Sequence, residues 1–156
     1  MEKYLRLLNP KTTNYEAIPS GGHGSLTAAD VCIAMSYAKL SPLQDNLVRL
    51  KYLGANTLEN VELFAGVLLK LYSEYFLNKN VVHEYHITII KVALYEFCMV
   101  AGDYKPTERN RELLSGFSDS TVRKHMKSGI NRVVSDLNAE FELAQDKIFF
   151  QLNKSN

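Results

Sequence analysis

Residues 57–76 constrain the fold most, because apolar side chains recur there at the spacing of an α-helix and not in the alternation of a strand. Thr57 is a favourable N-cap, since its hydroxyl can accept a hydrogen bond from an amide of the first turn. A helix with so wide an apolar stripe must bury that stripe against other helices. The predicted inward side chains are Leu58, Val61, Phe64, Ala65, Leu68, Leu69, Tyr72 and Phe76.

Three further segments carry helix signals, and together they predict an all-α body of four helices over residues 26–104. Residues 26–39 open with threonine and aspartate at the spacing of a capping box. Residues 41–53 open with Ser-Pro, and a glycine follows as a natural stop. Residues 82–101 form the fourth segment, where β-branched and aromatic residues leave a short strand as the alternative.

The two ends of the chain differ from this body. Residues 1–25 predict a flexible leader, because proline, glycine and small polar residues crowd its second half. Its Gly-Gly-His-Gly run lacks the preceding strand and the following GKS or GKT of a phosphate loop. Residues 105–156 predict a helix-turn-helix-like unit and a long C-terminal helix. That helix carries an acidic tail, and its predicted apolar face comprises Val133, Val134, Leu137, Phe141, Leu143, Ala144 and Ile148.

Overall composition indicates an ordinary globular protein. A chain of 156 residues with 46% apolar residues is long enough to bury a core. No window approaches the roughly 18 apolar residues of a membrane span, and the first residues lack a signal-peptide pattern. We therefore expect a cytoplasmic protein without a membrane partner. Cys32 and Cys98 fall within apolar helical patterns, which predicts buried, reduced thiols.

Sequence motifs for catalysis or metal binding are weak. His83, Glu84 and His86 form HExH, whereas metalloproteases need HExxH so that both histidines share one helix face. No GxSxG nucleophile motif occurs, and Glu140 and Glu142 point to different sides of the C-terminal helix, which makes them a poor acid–base pair. We therefore predict no enzyme activity, no metal and no cofactor.

The charge of residues 105–132 is unlike that of the remaining chain. Seven basic and three acidic side chains give the segment +4, whereas the whole chain carries +1 and the remainder sums to −3. Attraction to phosphates supplies most sequence-independent affinity for nucleic acid, so a basic segment on a neutral body indicates a DNA contact. The basic residues are Lys105, Arg109, Arg111, Arg123, Lys124, Lys127 and Arg132.

Within this segment we predict two helices separated by a turn at Gly116, with Thr107 and Ser118 as their N-caps. Val122 and Met126 fall on a core-facing side, and the basic stripe lies elsewhere on the second helix. A recognition helix presents its N-terminal residues to base edges. The alternative is that the stripe is only a solvated face. The predicted DNA-contacting residues are Arg109, Arg111, Ser120, Thr121, Arg123, Lys124 and Lys127.

The order of these features resembles antitermination protein Q of lambda-like bacteriophages. The resemblance rests on the leader NPKTTNYEAIPSGGHGS and on the helical segments LTAADVCIAMSYAK, IIKVALYEFCMVAG and RNRELLSGFSDSTVRKHMKSGINRVVSDLNAEFE. Lambda-type members carry CxxC pairs in an insert before the C-terminal helices. Residues 99–107 of this chain contain no cysteine, so the chain is similar to a variant without the zinc-binding insert.

This resemblance implies a function in transcription. A member of the family would bind double-stranded DNA at a phage late promoter. It would also modify bacterial RNA polymerase holoenzyme, which then reads through terminators in the cytoplasm of the host cell. Two alternatives stay open on the residues alone. One is a helical protein–protein adaptor without nucleic-acid binding, and the weaker one is a small hydrolase that uses His83 and His86.

Overall fold

The computed structural model describes residues 27–98 and 106–154, and within these ranges all regular structure is helical. The prediction of an all-α fold with four helices before the basic segment is confirmed. The predicted leader lies outside the described residues, and so does the cysteine-free stretch at residues 99–107 apart from its last two residues. The helices are α1 (Ala28–Tyr37), α2 (Pro42–Tyr52), α3 (Leu58–Asn78), α4 (His83–Cys98), α5 (Glu108–Ser115), α6 (Asp119–Thr121) and α7 (Lys127–Lys154), with a π-helical turn at Val122–Met126 between the last two.

The starts of the helices follow the capping residues of the sequence. Side chains of Thr27, Ser41, Thr57, Thr107 and Ser118 each accept a hydrogen bond from a backbone amide of the first turn, as predicted. Capping boxes form at the first two of these positions. Local side-chain chemistry therefore determines where these helices begin.

Two glycines end helices in the left-handed conformation. Gly54 follows α2 with a φ angle of +70°, and Gly116 caps α5 with a φ angle of +74°. A residue with a Cβ atom is strained in this region, which is why glycine suits these helix ends. The fourth predicted segment is the helix α4 from His83 to Cys98, so the short strand that the sequence left as an alternative does not form there.

Three predictions of burial are wrong, and four more are only partly right. Leu58 is 72% exposed, because it is the first residue of α3 and its Cα–Cβ bond points off the N-terminal end. Leu143 is exposed, since it lies about 120° around α7 from the buried stripe at 100° per residue. Cys32 is exposed because it follows buried Val31 directly and so faces another side of α1. The residues predicted as inward that are only half-buried are Leu69, Tyr72, Cys98 and Val134.

The buried side chains from the π-helical turn to the end of α7 follow one regular pattern. Their spacing is four, four and three residues, which is the pattern of an 11-residue repeat and keeps them on one side of a helix. One face of the helix can therefore be buried along its whole length. The positions are Val122, Met126 and Ile130, then Val133, Leu137 and Phe141, then Ala144, Ile148 and Leu152.

The chain forms two compact units, Met1–Ala55 with Ala139–Asn156 and Asn56–Asn138. The first unit contains α1, α2 and the C-terminal part of α7 within the described chain. Gln44 is buried there and donates to the Glu140 carboxylate at 2.9 Å, while the Lys147 ammonium donates to the Gln44 amide oxygen at 2.8 Å. This side-chain network joins α2 to α7.

The second unit contains α3 to α6, the π-helical turn and the start of α7, and it carries the basic segment. Phe76 and Ile89 are fully buried at its centre. A Cβ atom at Gly129 would lie 3.2 Å from two side-chain carbons of Ile89 and 3.5 Å from the Phe76 ring. The absence of a side chain at Gly129 therefore lets the start of α7 approach α3 and α4 closely.

Candidate nucleic-acid interface

The candidate interface begins with a helix that is anchored on one side and exposed on the other. Val122 and Met126 are fully buried within the π-helical turn. The Lys127 amide donates to the Val122 carbonyl, which is the hydrogen bond that closes this wider turn. π-helical turns are rare, and they occur frequently at functional sites. The sequence does not predict this turn, because the spacing of its apolar residues, Val122 and Met126, is the same as that of an α-helix.

Most of the predicted contact residues reach solvent on this helix. The side chain of Arg123 is 56% exposed and that of Lys127 is 46% exposed. Ser120 and Lys124 are exposed as well. The structure thus places these four side chains on solvent-accessible positions over the first turns of the helix.

Hydroxyl groups organise the start of this helix. The Ser118 hydroxyl accepts a hydrogen bond from the Thr121 amide at 3.4 Å, and it lies 3.1 Å from the Ser120 hydroxyl and 3.0 Å from the Thr121 hydroxyl. Thr121 is half-buried, so its side chain supports the cap more than it faces solvent. Ser120 remains accessible and is the better hydrogen-bonding group for an external partner.

Arg111 must be removed from the predicted contact set. Its side chain is buried, with a residue exposure of 5%. The guanidinium donates to both carboxylate oxygens of Glu96, at 2.7 and 2.8 Å, and to the Asn131 amide oxygen at 2.7 Å. These bonds join α5 to α4 and α7, so Arg111 holds α5 in place. Arg109, two residues earlier, is exposed as predicted.

Ion pairs within the unit neutralise part of the basic charge. The Lys127 ammonium lies 2.6 Å from the Glu108 carboxylate, and the Arg132 guanidinium lies 2.9 Å from Asp136. Arg123 is 4.0 Å from the carboxylate of Asp119, which is the longest of these separations. Arg109 and Lys124 have no acidic partner within the described ranges. Arg109, Lys124 and Arg123 are therefore the cations most available to an anionic ligand.

The Glu108–Lys127 pair responds to pH. The hydrogen bond from Lys127 holds the pKa of the Glu108 carboxyl below its ordinary value, and the positive charges of Lys127 and Arg123 act in the same direction against the effect of desolvation. Because this pKa is lowered by folding, the stabilising effect of the pair is present above the ordinary carboxyl pKa. It is lost as the pH falls through the lowered pKa. Protonation of Glu108 releases Lys127.

The two histidines of the HExH sequence belong to a structural contact. His86 is buried, its Nε2 atom donates to the Val81 carbonyl at 2.8 Å, and its ring stacks on Phe76 with centroids 4.7 Å apart. The ring of His83 lies 5.1 Å from that of His86. Among the described residues, no group of three or more His, Cys, Asp or Glu side chains could hold a metal ion.

Comparison of the chain with protein-family models, curated proteins and solved structures finds no match. None of the helices in the described ranges has both the length and the apolar content that crossing a membrane requires. The function proposed below therefore rests on the exposed basic side chains of the second unit.

Proposed function

We propose that this protein is a non-enzymatic transcription regulator that binds double-stranded DNA through the helix after Gly116. One observation carries the proposal: Arg123, Lys124 and Lys127 are exposed on a helix that Val122 and Met126 anchor from the opposite side. An anchored helix with solvent-facing cations suits the docking of a recognition helix in the major groove. Arg109 and Ser120 extend the contact set, and Arg111 does not belong to it.

The more specific proposal is a phage or prophage late-gene antiterminator similar to antitermination protein Q. It is supported by the order of sequence features described above and by the cationic surface that promoter binding requires. Its partners are DNA at a late promoter and bacterial RNA polymerase holoenzyme, in the host cytoplasm. A transcription assay on a template with a terminator downstream of the promoter tests this role. Read-through that does not change on addition of the protein contradicts it.

DNA binding is tested by titrating the protein with a mixed-sequence 30-base-pair duplex over a series of salt concentrations. The Arg123→Ala plus Lys127→Ala variant is expected to bind about 10- to 100-fold more weakly at 0.1 M salt, with a salt slope reduced by about 1 to 2. The matched control is Lys39→Ala plus Lys70→Ala, which removes the same charge from exposed positions outside the segment. Absence of binding at low salt, or an unchanged double variant, overturns the proposal.

A substitution at the Glu108–Lys127 pair is expected to strengthen DNA binding. Replacing Glu108 with glutamine releases the Lys127 ammonium for a phosphate, so DNA affinity is expected to rise and the salt slope to steepen by about 0.9. The control is Glu112→Gln, which removes the same charge from α5 without releasing Lys127. Both variants can be compared in the same titration. Equal gains would mean that net charge, and not the release of Lys127, determines the affinity.

A protein–protein adaptor is the second candidate, and an apolar surface on α3 favours it. Leu63, Val67, Leu71 and Leu77 lie within about 120° of one another around the helix and are between 55% and 68% exposed. Scattered single apolar residues are normal on a surface, whereas four large ones exposed on the same side of a helix favour a partner, although Lys70 and Glu74 lie among them. A pull-down from nuclease-treated bacterial lysate separates the candidates. An adaptor keeps its partner after this treatment, and a protein held only through DNA loses it.

A further inference from the structure

A basic depression of about 220 Å³ lies beside the candidate recognition helix. One wall comes from the turn between α3 and α4 and contributes Lys79 and Asn80. The other wall comes from the π-helical turn and the start of α7 and contributes Lys124, His125 and Ser128. Among the residues that the structure describes, no aspartate or glutamate lines the depression. Two lysines and several residues with hydrogen-bonding side chains therefore line one small space, and no acidic residue stands among them in the described part of the chain.

Backbone hydrogen bonds hold the turn that carries Lys79. Its amide donates to the Tyr75 carbonyl at 3.1 Å, and the Val81 amide donates to the Phe76 carbonyl at 3.0 Å. Asn80 takes a left-handed conformation with a φ angle of +51°, which asparagine tolerates better than most residues. The Nε2 atom of the buried His86 ring donates a hydrogen bond to the carbonyl of Val81. Lys79 thus extends from a well-determined backbone position.

The opposite wall belongs to the helix that carries the proposed DNA contacts. Lys124 and Ser128 are four residues apart, a spacing that brings side chains to the same face of a helix. Neither Lys79 nor Lys124 has a carboxylate partner in the described part of the chain. Lys124 lines the depression and is also one of the exposed cations after Gly116, so the two surfaces are continuous.

We propose that this depression binds a phosphate group of the DNA backbone, with Lys79 and Lys124 as its two cationic contacts. The inference rests on the proposed function and adds the turn between α3 and α4 to the interface. Small-molecule pockets generally begin at about 300 Å³, so the volume suits one group of a polymer better than an entire nucleotide. Phosphate contacts position a protein on the duplex, while base contacts read the sequence. Lys79 is therefore a positioning contact without sequence preference.

The test compares Lys79→Gln with Lys70→Gln in the full chain, titrated with the mixed-sequence 30-base-pair duplex over a salt series. Both lysines are exposed residues of the α3 region, but only Lys79 lines the depression. Lys79→Gln is expected to weaken binding about fivefold to tenfold at 0.1 M salt and to reduce the salt slope by about 0.9. Lys70→Gln should leave the DNA affinity and the salt slope nearly unchanged. The loss for Lys79→Gln should be equal on duplexes of different sequence.

A second arm titrates inorganic phosphate and adenosine monophosphate, followed by the NMR shifts of the Asn80 and Ser128 amides. Weak binding of inorganic phosphate that Lys79→Gln abolishes supports the inference when the DNA effect accompanies it. If the phosphate effect occurs but Lys79→Gln leaves DNA binding unchanged, the ligand is a free phosphate and the DNA assignment is overturned. If Arg123→Ala plus Lys127→Ala weakens DNA binding while Lys79→Gln does not, this inference fails and the proposed function stands. If the wild-type protein does not bind DNA, this inference and the proposed function both fail.

Discussion

Replacing Arg111 with alanine is expected to lower the free energy of unfolding by about 3–5 kcal/mol, because it leaves a buried carboxylate without a partner. Glu96 is itself only 8% exposed, and its two oxygens accept their hydrogen bonds from the Arg111 guanidinium. A small protein is commonly stable by about 5–15 kcal/mol, so the loss is a large share of the total. Urea denaturation followed by circular dichroism measures it.

The matched control for Arg111→Ala is Arg109→Ala, on the same helix but exposed. That substitution should change stability by no more than about 0.5 kcal/mol. The double variant Arg111→Met plus Glu96→Met should recover much of the loss, since replacing both partners of a buried pair with apolar residues is often neutral. Equal, small effects at positions 109 and 111 would contradict the structural role of Arg111.

Replacing Phe76 with alanine should cost about 3–5 kcal/mol of stability, because it empties the space of a fully buried aromatic ring. The ring packs against His86 with centroids 4.7 Å apart and against Tyr75 at 5.5 Å. It also contacts the position where a Cβ atom of Gly129 would lie. The loss should therefore loosen the packing of α3 against α4 and the start of α7.

Leu77 provides the control for Phe76→Ala, because it is the next residue of α3 and is 68% exposed. Leu77→Ala should change the free energy of unfolding by about 0.5 kcal/mol or less. Both variants can be measured by urea denaturation under the same conditions. Similar losses at the two positions would mean that the packed face of α3 has been assigned wrongly.

The parts of the fold that could be predicted from the sequence depend on local interactions. Thr107 and Ser118 cap the two helices of the basic segment, and Gly116 ends the first of them in a left-handed conformation. Each feature involves residues three or four apart, so its physical cause is visible in the sequence. The apolar period likewise identified Val122 and Met126 as buried.

The candidate site was harder to predict, because its charges are sorted by residues distant in the sequence. Arg109 and Arg111 look equivalent in the sequence, yet Arg111 is buried against Glu96, which lies 15 residues away along the chain. Lys127 pairs with Glu108, 19 residues away, and no local pattern indicates that contact. Lys79 belongs to no sequence motif, and only the packing of the turn after α3 beside the start of α7 places it next to Lys124.

In the described ranges, the helical character, the starts of most helices and the helix that carries the basic residues could all be predicted from the sequence. These properties follow from caps and periodicity, whose interactions extend over one or two helical turns. The tertiary structure alone decided which cations remain exposed. An arginine is available to a ligand or committed to the core according to which helix packs beside it, and that contact joins residues from separate helices.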